Sequence, residues 1–288
     1  MRMNSRGLAA LAGAVLCAGA ANAEIVWATT QQGFLISFDS ATPGTIISGV
    51  GISGMQANET VLGIDFRPAT GEMYALGSFS RLYQLNQSTG AATQVGGQFS
   101  TMLNGSNFGF DFNPTVDRIR VVSNANQNLR LNPNNGAVAS VDGALAYAMG
   151  DSGFGMDPDG VHAAYTNNFA GATSTTLYVL DTDRDVLARQ APPNDGVLNT
   201  IGFLGANIGE LGGFDISGAT GSAFVAVRDI GLSTSTFWSI DLATGQAMMV
   251  GQIGGGEIIT AMALRNVPTP ATATLLGLGL LGVGRRRR

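Results

Sequence analysis

Four aspartates recur in one short context: Gly63-Ile64-Asp65-Phe66, Gly109-Phe110-Asp111-Phe112, Gly155-Met156-Asp157-Pro158 and Gly213-Phe214-Asp215-Ile216. Carboxylates brought together from neighbouring elements can serve as the acid and nucleophile of glycoside hydrolysis. They can also ligate a hard cation such as calcium, or accept backbone N–H bonds. A catalytic pair is asymmetric, whereas these residues hold the same place in every copy, which points to a shared backbone hydrogen-bonding role. Asp65, Asp111, Asp157 and Asp215 are therefore candidates for ligand or cation contacts, with calcium as the one cofactor such a set admits. No residue is assigned to catalysis.

Other motifs carry less. Asp181-Thr182-Asp183-Arg184-Asp185 imitates the opening of a calcium loop, but Val186 and Pro192 stand where the loop needs glycine and an acid. His162 is the sole histidine, and Cys17 the sole cysteine, lies in the N-terminal apolar run. A zinc site or a His-based triad would have to be built on that one imidazole. Gly49-Val50-Gly51-Ile52-Ser53-Gly54 spells a dinucleotide fingerprint without the helix pattern that must follow it.

The spacing of the aspartates shows what must position them. Successive copies are 46, 46 and 58 residues apart, the length of one four-stranded blade. A second element follows each copy: a short apolar strand, an Asp or Asn, then usually glycine four residues on. It reads as Leu82 to Asn86 and Gly90, Leu129 to Asn132 and Gly136, Leu177 to Asp181 and Asp185, and Phe237 to Asp241 and Gly245. An Asx side chain capping a turn, with a positive-φ residue closing it, is the chemistry of a bulged hairpin.

A fifth copy is divided between the ends. Ile25 to Ala28 and Phe34 to Asp39 match a blade's second and third strands, and Ile258 to Ala263 supplies the first. The expected fold is all-β: a five-bladed β-propeller closed by pairing the C-terminal strand with the N-terminal blade, which removes its open edges. The longest interval places two polar insertions, Thr166 to Ala172 and Ala191 to Gly196, in the fourth blade. Loops on a regular scaffold are where recognition tends to sit.

The phrases FGFDFNPTVDRIRVVSNANQNLRLNPNNGAVA, AAYTNNFAGATSTTLYVLD and PPNDGVLNTIG resemble the bacterial domain-of-unknown-function 4394 family over most of residues 24–266. The resemblance brings no activity and no site residues with it.

Both ends read as addresses. Arg2 and Arg6, an apolar run from Leu8 to Ala20, and Ala21-Asn22-Ala23 form a secretory signal peptide over residues 1–23, cleaved after Ala23. At the other end, residues 267–288 comprise Val267-Pro268-Thr269-Pro270, an apolar run of about 14 residues and Arg285 to Arg288. That run is shorter than the roughly 20 residues of a spanning helix. The tail resembles the PEP-CTERM sorting signal that exosortases process in Gram-negative bacteria that make extracellular polymer, with Thr269 where that signal carries glutamate. Export machinery, an exosortase-like enzyme and transient membrane contact through the tail are the partners this implies.

Lysine is absent throughout. Six of the 15 arginines lie in the end segments, so residues 24–266 carry nine arginines against 20 carboxylates, a net charge of −11. Such a surface repels phosphate backbones and excludes nucleic acid. The sequence thus points to an exported cell-surface or extracellular-matrix propeller with a non-catalytic binding or scaffolding role, with extracellular polysaccharide as candidate ligand. The alternative is a carboxylate-dependent glycan-active enzyme working at the channel mouth.

Overall fold

The computed structural model describes residues 23–265. The signal-peptide expectation falls on residues 1–22 and the described Ala23, and the sorting-tail expectation, with Val267 to Pro270, lies outside the described residues.

The described residues form five antiparallel sheets set around one axis. The first blade holds β1 (Ile25–Thr30), β2 (Phe34–Asp39) and β3 (Thr42–Gly51), and the second β4 (Val61–Phe66), β5 (Met73–Gly77), β6 (Arg81–Leu85) and β7 (Ala92–Val95). The third contains β8 (Phe108–Asn113), β9 (Arg118–Ser123), β10 (Asn128–Leu131) and β11 (Val138–Val141). A short β12 (Ala146–Tyr147) then runs parallel to the outer strand of the fourth blade, which consists of β13 (Gly160–Tyr165), β14 (Leu177–Asp181), β15 (Val186–Gln190) and β16 (Val197–Phe203). The fifth is β17 (Gly212–Ile216), β18 (Ala223–Arg228), β19 (Ser235–Ile240) and β20 (Ala247–Gln252).

The last strand, β21 (Ile259–Leu264), pairs with β1 and completes the first blade as its innermost strand. The expected closure is therefore present. It leaves no blade with an unpartnered first strand, and the innermost strands β21, β4, β8, β13 and β17 touch in that cyclic order.

Packing follows the same symmetry. Five clusters of buried apolar side chains form, one at each junction between adjacent blades. The junction between the fifth and first blades, where the ring closes, carries Phe38 of β2 edge-on to Phe237 of β19 at 5.2 Å, with Phe224 of β18 stacked behind at 5.1 Å. Aromatic pairs in these geometries add to the area they bury, so closure rests on apolar contact as well as on the β21–β1 ladder.

The hairpin chemistry is as expected. Asn86, Asn132, Asp181 and Asp241 each accept a backbone N–H from two or three residues on through Oδ1. Gly90, Gly136, Asp185 and Gly245 close their turns at φ of 71°, 67°, 48° and 86°. One copy is out of phase, however. Leu82, Leu129 and Phe237 begin or lie on third strands, whereas Leu177 to Asp181 is the second strand of its blade.

The same slip explains a second correction. Gly155-Met156-Asp157-Pro158 is not an innermost strand: it lies ahead of β13 with Gly155 to Asp157 exposed, and Asp157 accepts a bond from Asn126 Nδ2 at 2.6 Å. Pro158 lacks the N–H that an inner strand offers here. The true innermost strand is Gly160–Tyr165.

Candidate functional site

The ladder registers put five residues at one equivalent position, one residue before the last pair of each innermost strand, or two in β8, whose ladder runs on to Asn113: Asp65, Asp111, Ala164, Asp215 and Ala263. Asp65, Asp111 and Asp215 meet on the axis, one carboxylate oxygen of each within 4.8 Å of the others, and none is more than 1% exposed. Three of the four predicted aspartates are thus brought together, and Asp157 is not.

What they do there is a matter of counting donors. The innermost strand of every blade has no strand beyond it on the axial side, so its inward N–H groups need another acceptor. Asp65 accepts the N–H of Phe66 through Oδ1 at 2.6 Å and that of Phe112, in the next blade, through Oδ2 at 2.7 Å. Asp111 accepts the N–H of Tyr165 at 3.1 Å. Asp215 accepts the N–H groups of Ile216 and Leu264, both at 2.6 Å. Phe66, Phe112, Tyr165, Ile216 and Leu264 are the five residues that follow the aspartate position around the ring. Three carboxylates therefore satisfy the equivalent N–H of all five blades and tie each of their own blades to the next. Alanine serves at 164 and 263 because Asp111, Asp215 and Asp65 already take the N–H groups that a fourth and fifth acid would have held.

The glycine two residues before each of these aspartates has a related cause. A Cβ at Gly63, Gly109 or Gly213 would run into Phe110, Ala163 or Met262 of the following blade. At these three positions the strands approach so closely that no side chain fits. His162 takes the glycine's place in the fourth blade, buried, with Nε2–H donating to the carbonyl of Gly209 at 3.0 Å. Burial pulls its pKa down to about 4, so the ring is neutral at physiological pH. Its Nδ1 has no hydrogen-bond partner among the described residues.

Burial is also the largest influence on the axial acids. It raises Asp65 and Asp111 well above the ordinary carboxylate range, with their mutual repulsion and that of Asp215 adding to it. Asp215 is pushed up to about 7 by burial, against the pull of the Leu264 and Ile216 N–H groups. The Asn168 side chain, packed close to Asp65 and Asp215, favours their ionised forms. Asn168 is 1% exposed and belongs to the first fourth-blade insertion. That loop, predicted as a recognition element, thus sends a side chain to the axial acids and closes that end of the channel.

The opposite end is open. A cavity of about 420 Å³ lies where the innermost strands begin, lined from the first, second, third and fifth blades and from the links between them. Asp65, Asp111 and Asp215 stand three residues further along β4, β8 and β17 than Leu62, Phe108 and Gly212 of its lining, about 10 Å deeper at the rise of a strand. A sugar in the mouth does not reach them. Two carboxylates do line the mouth, and both are tethered. Glu59 accepts the Phe79 N–H at 2.9 Å and the Tyr83 hydroxyl at 2.5 Å, and Glu210 accepts Asn107 Nδ2 at 2.6 Å. Tyr83 is raised to about 12 by burial and by that glutamate.

Sequence reasoning missed the mouth, because its residues sit in the irregular links ahead of each innermost strand and share no motif. Their signal is positional: in a propeller, whatever precedes strand one of each blade gathers at one end of the channel. The calcium-loop look-alike is an ordinary turn with a latch, as expected. Asp181 Oδ2 accepts the Tyr147 hydroxyl at 2.5 Å, and Asp185 accepts the N–H of Ile208 at 3.0 Å. Gly49 to Gly54 spans the end of β3 and the following link, with no helix behind it.

With axis and mouth in view, the chain is placed among all-β propellers of five blades. It belongs to the family described as Domain of unknown function (DUF4394), whose model matches residues 34–263. No curated protein sequence matches it. Among solved structures it is similar to the dihydro-heme d1 dehydrogenase NirN in complex with DHE, at 10% identity and a TM-score of 0.38, covering 78% of this chain and 43% of that one. Kuenenia stuttgartiensis hydrazine synthase matches at 10% identity and 0.41, over 72% of this chain and 53% of that one. Myxococcus xanthus glutaminyl cyclase matches at 12% identity and 0.42, over 68% and 77%. The chain spans about half the length of the first two.

Proposed function

We propose that this protein is exported to the cell surface or extracellular matrix, where it binds a neutral, polyhydroxylated ligand, a segment of extracellular polysaccharide, in its mouth cavity without transforming it. The observation that carries this reading is the cavity itself. It is large enough for one or two sugar rings and mixes amides and hydroxyls from Gln31, Gln56, Thr60 and Asn107 with apolar surface from Met55 and Phe108. Polar groups that fix orientation within an apolar lining are the general make-up of a small-ligand site. The non-catalytic part is supported by the burial of the axial aspartates and by the tethering of Glu59 and Glu210. Export is supported by the residue order of both ends, with release at Ala23 and sorting through Val267 to Pro270.

Binding of neutral oligosaccharides, measured by calorimetry, tests the reading. The double variant Gln56→Ala/Asn107→Ala is expected to bind at least tenfold more weakly, since two hydrogen bonds of about 1 kcal/mol each are removed. Absence of binding to any neutral glycan, or release of shortened products by the unaltered protein, would overturn it. Mass spectrometry of protein recovered from the medium or cell surface tests the address, with Glu24 expected as the first residue.

A further inference from the structure

We propose that Asp65, Asp111 and Asp215 form a binding site for one hard divalent cation, calcium in the first instance, at the closed end of the propeller channel. The donor count points there. Five backbone N–H groups are shared among six carboxylate oxygens, and the sixth, Asp111 Oδ2, has no hydrogen-bond partner among the described residues although Asp111 is 1% exposed. A buried carboxylate oxygen with no donor is an expensive feature to maintain, and a ligated cation removes the cost.

Geometry agrees. One oxygen from each aspartate lies within 4.8 Å of the others. Three oxygens each about 2.4 Å from one calcium ion stand about 4 Å apart, so small side-chain adjustments bring the set around a single ion. The N–H bonds do not compete for the same electrons, because each carboxylate oxygen has a second lone pair.

Charge agrees as well. None of the ion pairs found among the described residues involves these three acids, and Glu24 adds a further negative charge near Asp215. Asn168, packed against Asp65 and Asp215, is neutral. All-oxygen, triply acidic donors select calcium or a similarly hard ion over zinc or copper. Methyl groups at Ala164 and Ala263 limit the ring to three acids, a charge that one divalent ion largely offsets.

The test begins by unfolding the purified protein in urea with EDTA and refolding it at pH 8, with calcium chloride or with EDTA. After desalting, elemental mass spectrometry is expected to find one calcium per chain, with a melting temperature several degrees above that of the EDTA-refolded sample. Asp111→Asn keeps an oxygen for the Tyr165 N–H but loses the charge, and is expected to retain no calcium and to show no calcium-dependent shift. Asp157→Asn, outside the ring, is expected to behave as the unaltered protein. No retained metal together with identical melting with and without calcium would overturn the proposal and leave the cluster neutralised by protons. Should Asp111→Asn not fold, a crystal grown with terbium decides: an ion on the axis among the three carboxylates supports the site, and one elsewhere overturns it.

Discussion

The two ends of the channel are built from the same five strands and differ in what their polar groups are doing. At the axial end, five equivalent N–H groups meet three carboxylates, and each of those donors has its acceptor. At the mouth, amides and hydroxyls from the inter-blade links face a cavity large enough for a small ligand. The contrast separates two uses of polar side chains that composition alone cannot distinguish: fastening a ring, and presenting a surface. Substitutions at the axial end should be read in stability, and those at the mouth in binding.

The largest effect tests the closing junction on which both ends depend. Phe237→Ala removes the ring that packs against Phe38 across the seam and against Phe224 within its own blade, and is expected to cost about 3–5 kcal/mol in urea unfolding. A loss below about 1 kcal/mol would show that closure rests on the β21–β1 ladder alone.

Asp65→Ala comes next. It strips the acceptors from two buried N–H groups, at about 1–3 kcal/mol each, while relieving repulsion with Asp111 and Asp215. A net loss of about 3 kcal/mol is expected. An unchanged midpoint would mean that the carboxylate is not a fastener.

The pH dependence is smaller and has a definite sign. The folded-state pKa of Asp215 is raised to about 7, and those of Asp65 and Asp111 are raised as well, so the folded state binds protons more tightly than the unfolded chain. Their contribution to stability is complete below the ordinary carboxylate pKa and is lost as pH rises through about 7. Buried His162 acts oppositely, its contribution present above about 6.5 and lost as pH falls towards 4. In EDTA, the urea midpoint is expected to be lower at pH 8 than at pH 6.5, and Asp111→Asn is expected to flatten that difference. A midpoint that rises over this interval would contradict the assignment.

The smallest expected effect belongs to the mouth. Gln56→Ala/Asn107→Ala should alter the unfolding free energy by about 0.5 kcal/mol or less, although it is expected to weaken ligand binding tenfold. A large loss of stability would make those amides fasteners too, and the comparison between the two ends would fail.

Much of this was legible in the sequence. Blade number, closure through the terminal strand, the Asx-capped turns and three of the four axial aspartates follow from residue type and spacing, because each answers to a local rule: a turn needs an acceptor and a positive φ, and a close approach needs glycine. The fourth blade misled for a physical reason. Its innermost strand carries His162 and Ala164 where the other copies carry glycine and aspartate, since Asp111 and Asp215 satisfy the N–H groups beside it. A repeat loses its signature where its neighbours have taken over its hydrogen bonds. Gly155 to Asp157 kept the letters of the motif without the strand.

By itself, then, the sequence determined the ring: its period, its turns and the pairing that closes it, all set by short-range chemistry repeated along the chain. Tertiary structure alone decided the rest. It made three aspartates serve five blades, brought Asn168 from a surface insertion onto the axis, left Asp111 Oδ2 without a donor, and gathered residues from separate links into one mouth. Those outcomes depend on which groups meet across the ring, over separations of about 50 residues or more, where no local pattern records the encounter.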